Sequence, residues 1–183
     1  MYRYVSFLRG VNVGGKVLKM QEVVELCRSI GLEDPRSYIQ SGNILFNTGE
    51  ARREELETVL QQLVKDRLAF DLTVIIRSRQ QLREIVEGSP FTARGGLGTK
   101  SLYVTLLERS VPDLAPGDFP RDDKTSDEFV PARTEVYLYC PGGYGKTVYS
   151  NLYFEKIFGV RATTRNWNTL TRLLEIAEAP DNR

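Results

Sequence analysis

The chain contains no histidine. That absence removes Ser-His-Asp and Cys-His catalysis, histidine-ligated zinc, and the side chain that most often serves as a general base near neutral pH. Its two cysteines, Cys27 and Cys140, stand far apart on core-facing positions. A structural zinc site is therefore short of ligands, and a reduced, cytoplasmic environment is expected in place of a disulfide. No apolar run approaches the length of a membrane span. The opening Met-Tyr-Arg-Tyr-Val, with Arg9 inside the first apolar run, lacks the pattern of a signal peptide. Charge of one sign is missing too: 25 Lys and Arg against 24 Asp and Glu leave a formal net charge of +1. With no global field, any anion binding must be local.

What is present is a chain of 183 residues, 41% hydrophobic, long enough to bury a real core. Residues 4–8, rich in aromatic and β-branched side chains, predict a first strand. Met20, Val23, Val24, Cys27 and Ile30 recur at helical spacing, with Gly31 as the stop. Pro35 marks a turn, and residues 37–40 and 44–47 read as strand arms around Ser41-Gly42-Asn43. Leu56, Val59, Leu60, Leu63 and Val64 predict a helix over 50–68, and residues 72–76 the next strand. Strand-helix-strand-strand-helix-strand is the order of a ferredoxin-like split βαβ unit.

The second half repeats these ingredients less cleanly. A helix is expected over 79–87, strands over 101–107, 127–131 and 135–139, and helices over 153–158 and 168–177. The proline-rich residues 112–124 read as an irregular connection and a candidate partner-contacting loop. The expected fold is α+β: two packed ferredoxin-like subdomains with antiparallel sheets, residues 1–78 and 79–183, together one compact domain.

Three stretches carry potential chemistry. Leu8-Arg9-Gly10-Val11-Asn12-Val13-Gly14-Gly15-Lys16-Val17 matches a phosphate-binding loop except at its last position, where Val17 replaces the hydroxyl that binds magnesium. Gly142-Gly143-Tyr144-Gly145-Lys146-Thr147-Val148-Tyr149 partly resembles an aromatic RNA-recognition signature, with Gly142 in place of its basic residue and Lys146 in place of its central aromatic. In the third stretch, 162–169, Asn166 or Asn168 can cap the last helix. Trp167, Leu170, Leu173, Leu174 and Ala177 can face the core, leaving Arg165 beside a helix N-terminus that suits an anion.

Taken together, Leu8-Arg9-Gly10-Val11-Asn12-Val13-Gly14-Gly15, Met20, Tyr38-Ile39-Gln40-Ser41-Gly42-Asn43-Ile44-Leu45-Phe46 and Thr163-Thr164-Arg165-Asn166-Trp167-Asn168-Thr169 resemble the signature of the domain of unknown function 1697 family (DUF1697). Ser89-Pro90-Phe91 resembles that family's Asn-Pro-Phe with a changed first residue. Residues 145–151 depart from it, since many members read closer to Gly-Arg-Ser-Lys-Leu there. The resemblance implies an α+β fold of two ferredoxin-like halves and a bacterial cytosolic protein. It implies no activity.

The expected function is binding of a small anionic or polar ligand at a site formed by the glycine-rich loop and the Arg-Asn-Trp-Asn helix start. Its candidate residues are Arg9, Asn12, Gly14, Gly15, Lys16, Gln40, Ser41, Asn43, Arg165, Asn166 and Asn168, because glycine-exposed N–H groups beside Arg and Lys suit phosphate or carboxylate without a metal. Whether the loop after the first strand and the start of the third share one end of the sheet depends on register. The alternatives are a ferredoxin-like nucleic-acid-binding module and a protein-interaction module using residues 112–124. No cofactor, metal or membrane partner is called for, and no pair of acid-base groups has a spacing that singles out a reaction.

Overall fold

The computed structural model describes residues 1–11, 17–49, 53–112, 119 and 125–180. The chain is α+β with two four-stranded antiparallel sheets. It divides into two units, Met1–Arg83 with Leu173–Arg183, and Glu84–Arg172.

The first unit runs β1 (Tyr2–Arg9), α1 (Met20–Ser29), β2 (Glu33–Ser37), β3 (Asn43–Thr48), α2 (Arg53–Leu68) and β4 (Thr73–Ser78), the order read from the sequence. Its strands lie β2-β3-β1-β4. Helix α1 buries Met20, Val23, Val24 and Cys27, as the spacing predicts. It stops at Gly31, where the Gly31 amide donates to Arg28 O at 3.0 Å and the Leu32 amide to Cys27 O at 3.1 Å. These two bonds satisfy carbonyls that the helix end would leave open, and Leu32 is buried beside them.

Two local expectations are corrected here. Pro35, expected in a turn, lies inside β2, and the first strand arm is residues 33–37 in place of 37–40. The cause is position: β2 is an edge strand with a register shift between Glu33 and Arg36, so a missing amide hydrogen costs the ladder little. In α2 the inward face is Glu57, Leu60 and Val64, while Val59 is 44% exposed. A carboxylate sits in the apolar stripe because Glu57 Oε1 accepts the Ile76 amide at 2.7 Å. One turn on, Gln61 Oε1 accepts the Val74 amide at 3.1 Å. Helix α2 thus covers the outer amides of edge strand β4, which would otherwise offer a template for foreign strands.

The second unit contains α3 (Arg79–Glu87) from Glu84 onward, α4 (Pro90–Ala93), β5 (Leu102–Leu107), β6 (Glu128–Pro131), β7 (Glu135–Tyr139), α5 (Asn151–Phe158), β8 (Ala162–Asn166) and α6 (Trp167–Glu178) as far as Arg172. Its sheet order, β6-β7-β5-β8, places the strands as in the first unit. Strand β8 is a third correction: residues 162–166 were expected as the approach to a helix, and they pair with β5 along their length, Thr105 opposite Thr164 and Val104 opposite Arg165. The edge device recurs, since Glu155 Oε1 on α5 accepts the Ala162 amide of edge strand β8 at 2.9 Å.

Between β5 and β6, Val111 and Phe119 are anchored. The Val111 amide donates to Arg133 O at 2.8 Å, and Phe119 packs edge-on against Phe129 and Phe158 at 5.7 and 5.6 Å. Phe119 is buried, whereas Pro112 is exposed; residues 113–118 and 120–124 lie outside the described residues.

The Glu57 clamp makes a stability prediction. Glu57→Ala leaves the Ile76 amide buried without its acceptor and should lower unfolding free energy in urea by about 1–3 kcal/mol. Glu57→Gln, which keeps a carbonyl acceptor, should retain most of that stability. Equal losses in the two variants would contradict the clamp.

Candidate functional site

The register of β1 on β3 pairs Phe7 with Asn43. One step further the Leu8 amide donates to Gly42 O at 2.7 Å, so the exit of β1 and the turn before β3 share one end of the sheet. Arg9, the last residue of β1, pairs on its other side with Thr73 of β4. The two signature segments therefore meet.

Contact between them is tight. A Cβ at residue 42 would lie 2.7 Å from Val11 Cγ2, 2.9 Å from Leu8 Cβ and 3.0 Å from Leu8 O, and Gly42 has φ of +78°. Only glycine meets both demands. Asn43 is fully buried and closes the turn, donating through Nδ2 to Tyr38 O at 3.1 Å and Ser41 Oγ at 2.9 Å, while the Tyr38 amide returns a bond to Asn43 O at 2.9 Å. Asn43 is thus a scaffold residue, and Gln40 and Ser41 are the exposed polar groups that the turn presents. Gly10 has φ of +90°, and Arg9 is half-buried. Asn12, Gly14, Gly15 and Lys16 lie outside the described residues.

Arg165, Asn166 and Asn168 belong to the second unit. Arg165 was expected to stand at a helix start with no structural task. It lies on β8, 8% exposed, and its Nη1 donates to Thr163 Oγ1 at 2.8 Å and Thr164 O at 2.9 Å. Burial pulls its pKa down to about 10, still a cation at neutral pH. Asn166 Oδ1 accepts the Asn168 amide at 3.0 Å and so caps α6, and its Nδ2 reaches Lys100 O at 3.2 Å. Asn168 is exposed. Trp167, Leu170, Leu173, Leu174 and Ala177 are all buried, as the helical spacing predicts.

Several other chemistries find no support. Burial pushes the Cys27 thiol up to about 12 and the Cys140 thiol up to about 11, so neither is a thiolate at neutral pH. Among the described residues no group of three or more Cys, Asp or Glu is placed to hold a metal ion, and no helix is long and apolar enough to cross a membrane. The phosphate-loop likeness fails in context: its sheet is antiparallel, and α1 begins only at Met20. Residues 142–149 form a loop with a short turn at Tyr144–Lys146 and no strand, and Tyr149 is buried among Phe129 and Tyr153, so it cannot stack on a base. A groove of about 340 Å³ beside β8 is lined by Glu108, Glu155, Gly159, Val160 and Arg161. Its Glu155 carboxylate is already engaged by the Ala162 amide.

The family described as "Protein of unknown function (DUF1697)" matches residues 1–137, so the chain belongs to that family. No curated protein matches the chain. Among solved structures, a conserved bacterial protein, SP0830 from Streptococcus pneumoniae, is similar with a TM-score of 0.70 and 21% identity, over 97% of this chain and 99% of that one. At that identity the likeness concerns the fold.

The junction predicts a contrast between two glycines. Gly42→Ala combines a left-handed backbone with overpacking and should destabilise by about 2–4 kcal/mol. Gly31 has φ of +80° with nothing within 4 Å of an added Cβ. Gly31→Ala should therefore cost only the backbone strain, about 1–2 kcal/mol. Urea denaturation of both variants measures the difference, and a Gly42→Ala protein no weaker than Gly31→Ala would show that the two segments are not in tight contact.

Proposed function

We propose that this member of the DUF1697 family binds a small anionic or polar ligand at the end of the first sheet, where β1 ends at Arg9 and the exposed turn before β3 carries Gln40 and Ser41. The observation that carries the reading is Ile39. It is β-branched, 51% exposed, and held at φ of +51°. A left-handed backbone costs a side chain of this kind about 1–2 kcal/mol, and no burial offsets it. Strain kept at an exposed turn marks a turn valued for what it presents. The turn presents an amide and a hydroxyl, and the half-buried Arg9 guanidinium ends the adjacent strand, a set that suits carboxylate or phosphate oxygens without a metal.

Asn12, Gly14, Gly15 and Lys16 follow directly in the chain and join this reading on their sequence alone. Asn43 enters it as the residue that shapes the turn. Arg165, Asn166 and Asn168 are not needed by it, because Arg165 is committed inside its strand and Asn166 to a cap. The same reading takes each unit as a ferredoxin-like split βαβ, supported by the central placement of β1 and β5 and by the crossover helices α1, α2 and α5.

Calorimetric titration with inorganic phosphate and citrate tests the proposal. At least one should bind, and Arg9→Ala should weaken it about ten-fold or more, the value of one charge-assisted hydrogen bond. If no anion binds, or if Arg9→Ala binds as the wild type does, the proposal fails.

A further inference from the structure

At one end of the second sheet two glycine-rich, lysine-bearing loops start from neighbouring strands. Leu102 pairs with Tyr139, so residues 94–101, which lead into β5, and residues 140–147, which leave β7, start as neighbours. The Cys140 amide donates to Ser101 O at 2.8 Å and joins them. The first loop carries Gly95, Gly96, Gly98 and Lys100; the second carries Gly142, Gly143, Gly145 and Lys146. Both lysines are exposed, and among the described residues neither ammonium has a hydrogen bond or ion pair.

Two tyrosines belong to the same end. The Tyr103 and Tyr144 rings lie 5.3 Å apart at 36°, and both are half-buried. Tyr144 is held at its hydroxyl, which accepts the Asn151 amide at 3.1 Å and bonds Thr164 Oγ1 at 2.9 Å. Thr164 is fixed in turn by Thr105 at 2.7 Å and by Asn151 Oδ1 at 2.6 Å. A ring anchored in this way loses little freedom when a flat partner packs on it. Nearby Glu128, opposite Tyr139, is gripped through both carboxylate oxygens by Arg94 at 2.7 and 3.0 Å. Its charge is offset by that pair.

We propose that this end of the second sheet binds a nucleotide, with Lys100 and Lys146 taking the phosphate and the Tyr103–Tyr144 pair receiving the base. Free nucleotide and an exposed single strand of nucleic acid present the same chemistry, a planar π-face beside a phosphate. Recognition of the anion falls to the lysines and not to the start of α5, where Tyr144 takes the Asn151 amide and Ser150 Oγ takes the Tyr153 amide at 3.4 Å. The mode differs in part from an RNA-recognition sheet, whose stacking aromatics stand on strands: Tyr103 stands on β5, but Tyr144 stands on a loop, and Tyr149 is withdrawn into the core. Every residue involved lies in the second unit, so the proposal is independent of the Arg9–Ser41 reading.

The test uses the full chain with two probes, adenosine monophosphate followed by calorimetry and a fluorescein-labelled twelve-nucleotide oligouridylate followed by anisotropy. Saturable binding of at least one is expected, reduced about ten-fold or more in Lys100→Ala/Lys146→Ala. For the strand, loss of two phosphate contacts should flatten the slope of log affinity against log salt by about 1.4. Tyr103→Leu should weaken binding about five-fold or more, with recovery in Tyr103→Phe, which restores the ring. Arg9→Ala should change nothing. Binding of the monophosphate identifies free nucleotide as the source, and binding of the oligomer alone identifies a strand. Both lysines are exposed, so their removal spares the fold. No saturable binding of either probe, or binding unchanged by the double lysine substitution, overturns the proposal.

Discussion

No side chain larger than hydrogen fits at residue 42, and the geometry of the first unit's open end follows from that constraint. A Cβ there would press on Leu8 and Val11 at 2.7 to 3.0 Å, so the turn that starts β3 lies directly on the exit of β1. The Leu8–Gly42 hydrogen bond and the buried Asn43 amide lock the contact. Phe7 and Asn43, 36 positions apart in sequence, are partners because the antiparallel register counts one strand up as it counts the other down. The strain at Ile39 is local to this turn and has no packing counterpart in the core.

A second device is repeated in both units from dissimilar sequence. Each sheet ends on a strand whose outer amides are taken by an acceptor on the preceding helix, Glu57 and Gln61 for β4 and Glu155 for β8. The opposite edges are blunted differently, by Pro35 and a register shift in β2 and by a four-residue strand ending in Pro131 in β6. Edges closed in these ways discourage strand-to-strand association. Each final strand also carries a buried arginine, Arg77 and Arg165, opposite a buried valine of the central strand. Such charges are tolerable because backbone and hydroxyl oxygens receive them.

Most helices were legible because their apolar spacing is decided locally. Met20 to Cys27 and Trp167 to Ala177 bury the residues their 3.6-residue period selects. What was not legible depends on partners distant in sequence. Glu57 reads as a solvent-facing charge until Ile76 supplies its amide, and Ala-Thr-Thr-Arg-Asn reads as a helix approach until β5 pairs with it. Arg165 misled for the same reason, since its acceptors are the threonine hydroxyl and carbonyl of a strand that the sequence did not announce. Asn43, singled out in the sequence for its polarity, clasps the turn from a buried position, whereas Gln40 and Ser41 are exposed beside Gly42.

Residues 112–124 were weighed as a partner-contacting loop, and the burial of Phe119 among aromatic rings gives part of that connection a packing role. The account therefore rests on the junction of β1 with the turn at residues 39–42. Amide chemical-shift mapping of the isotopically labelled protein during titration with inorganic phosphate tests it most directly. The account predicts that the largest shifts cluster at Arg9, Gly10, Val11, Gln40 and Ser41 and saturate together. Saturation with those amides unmoved, or no saturable shift at all, would contradict it.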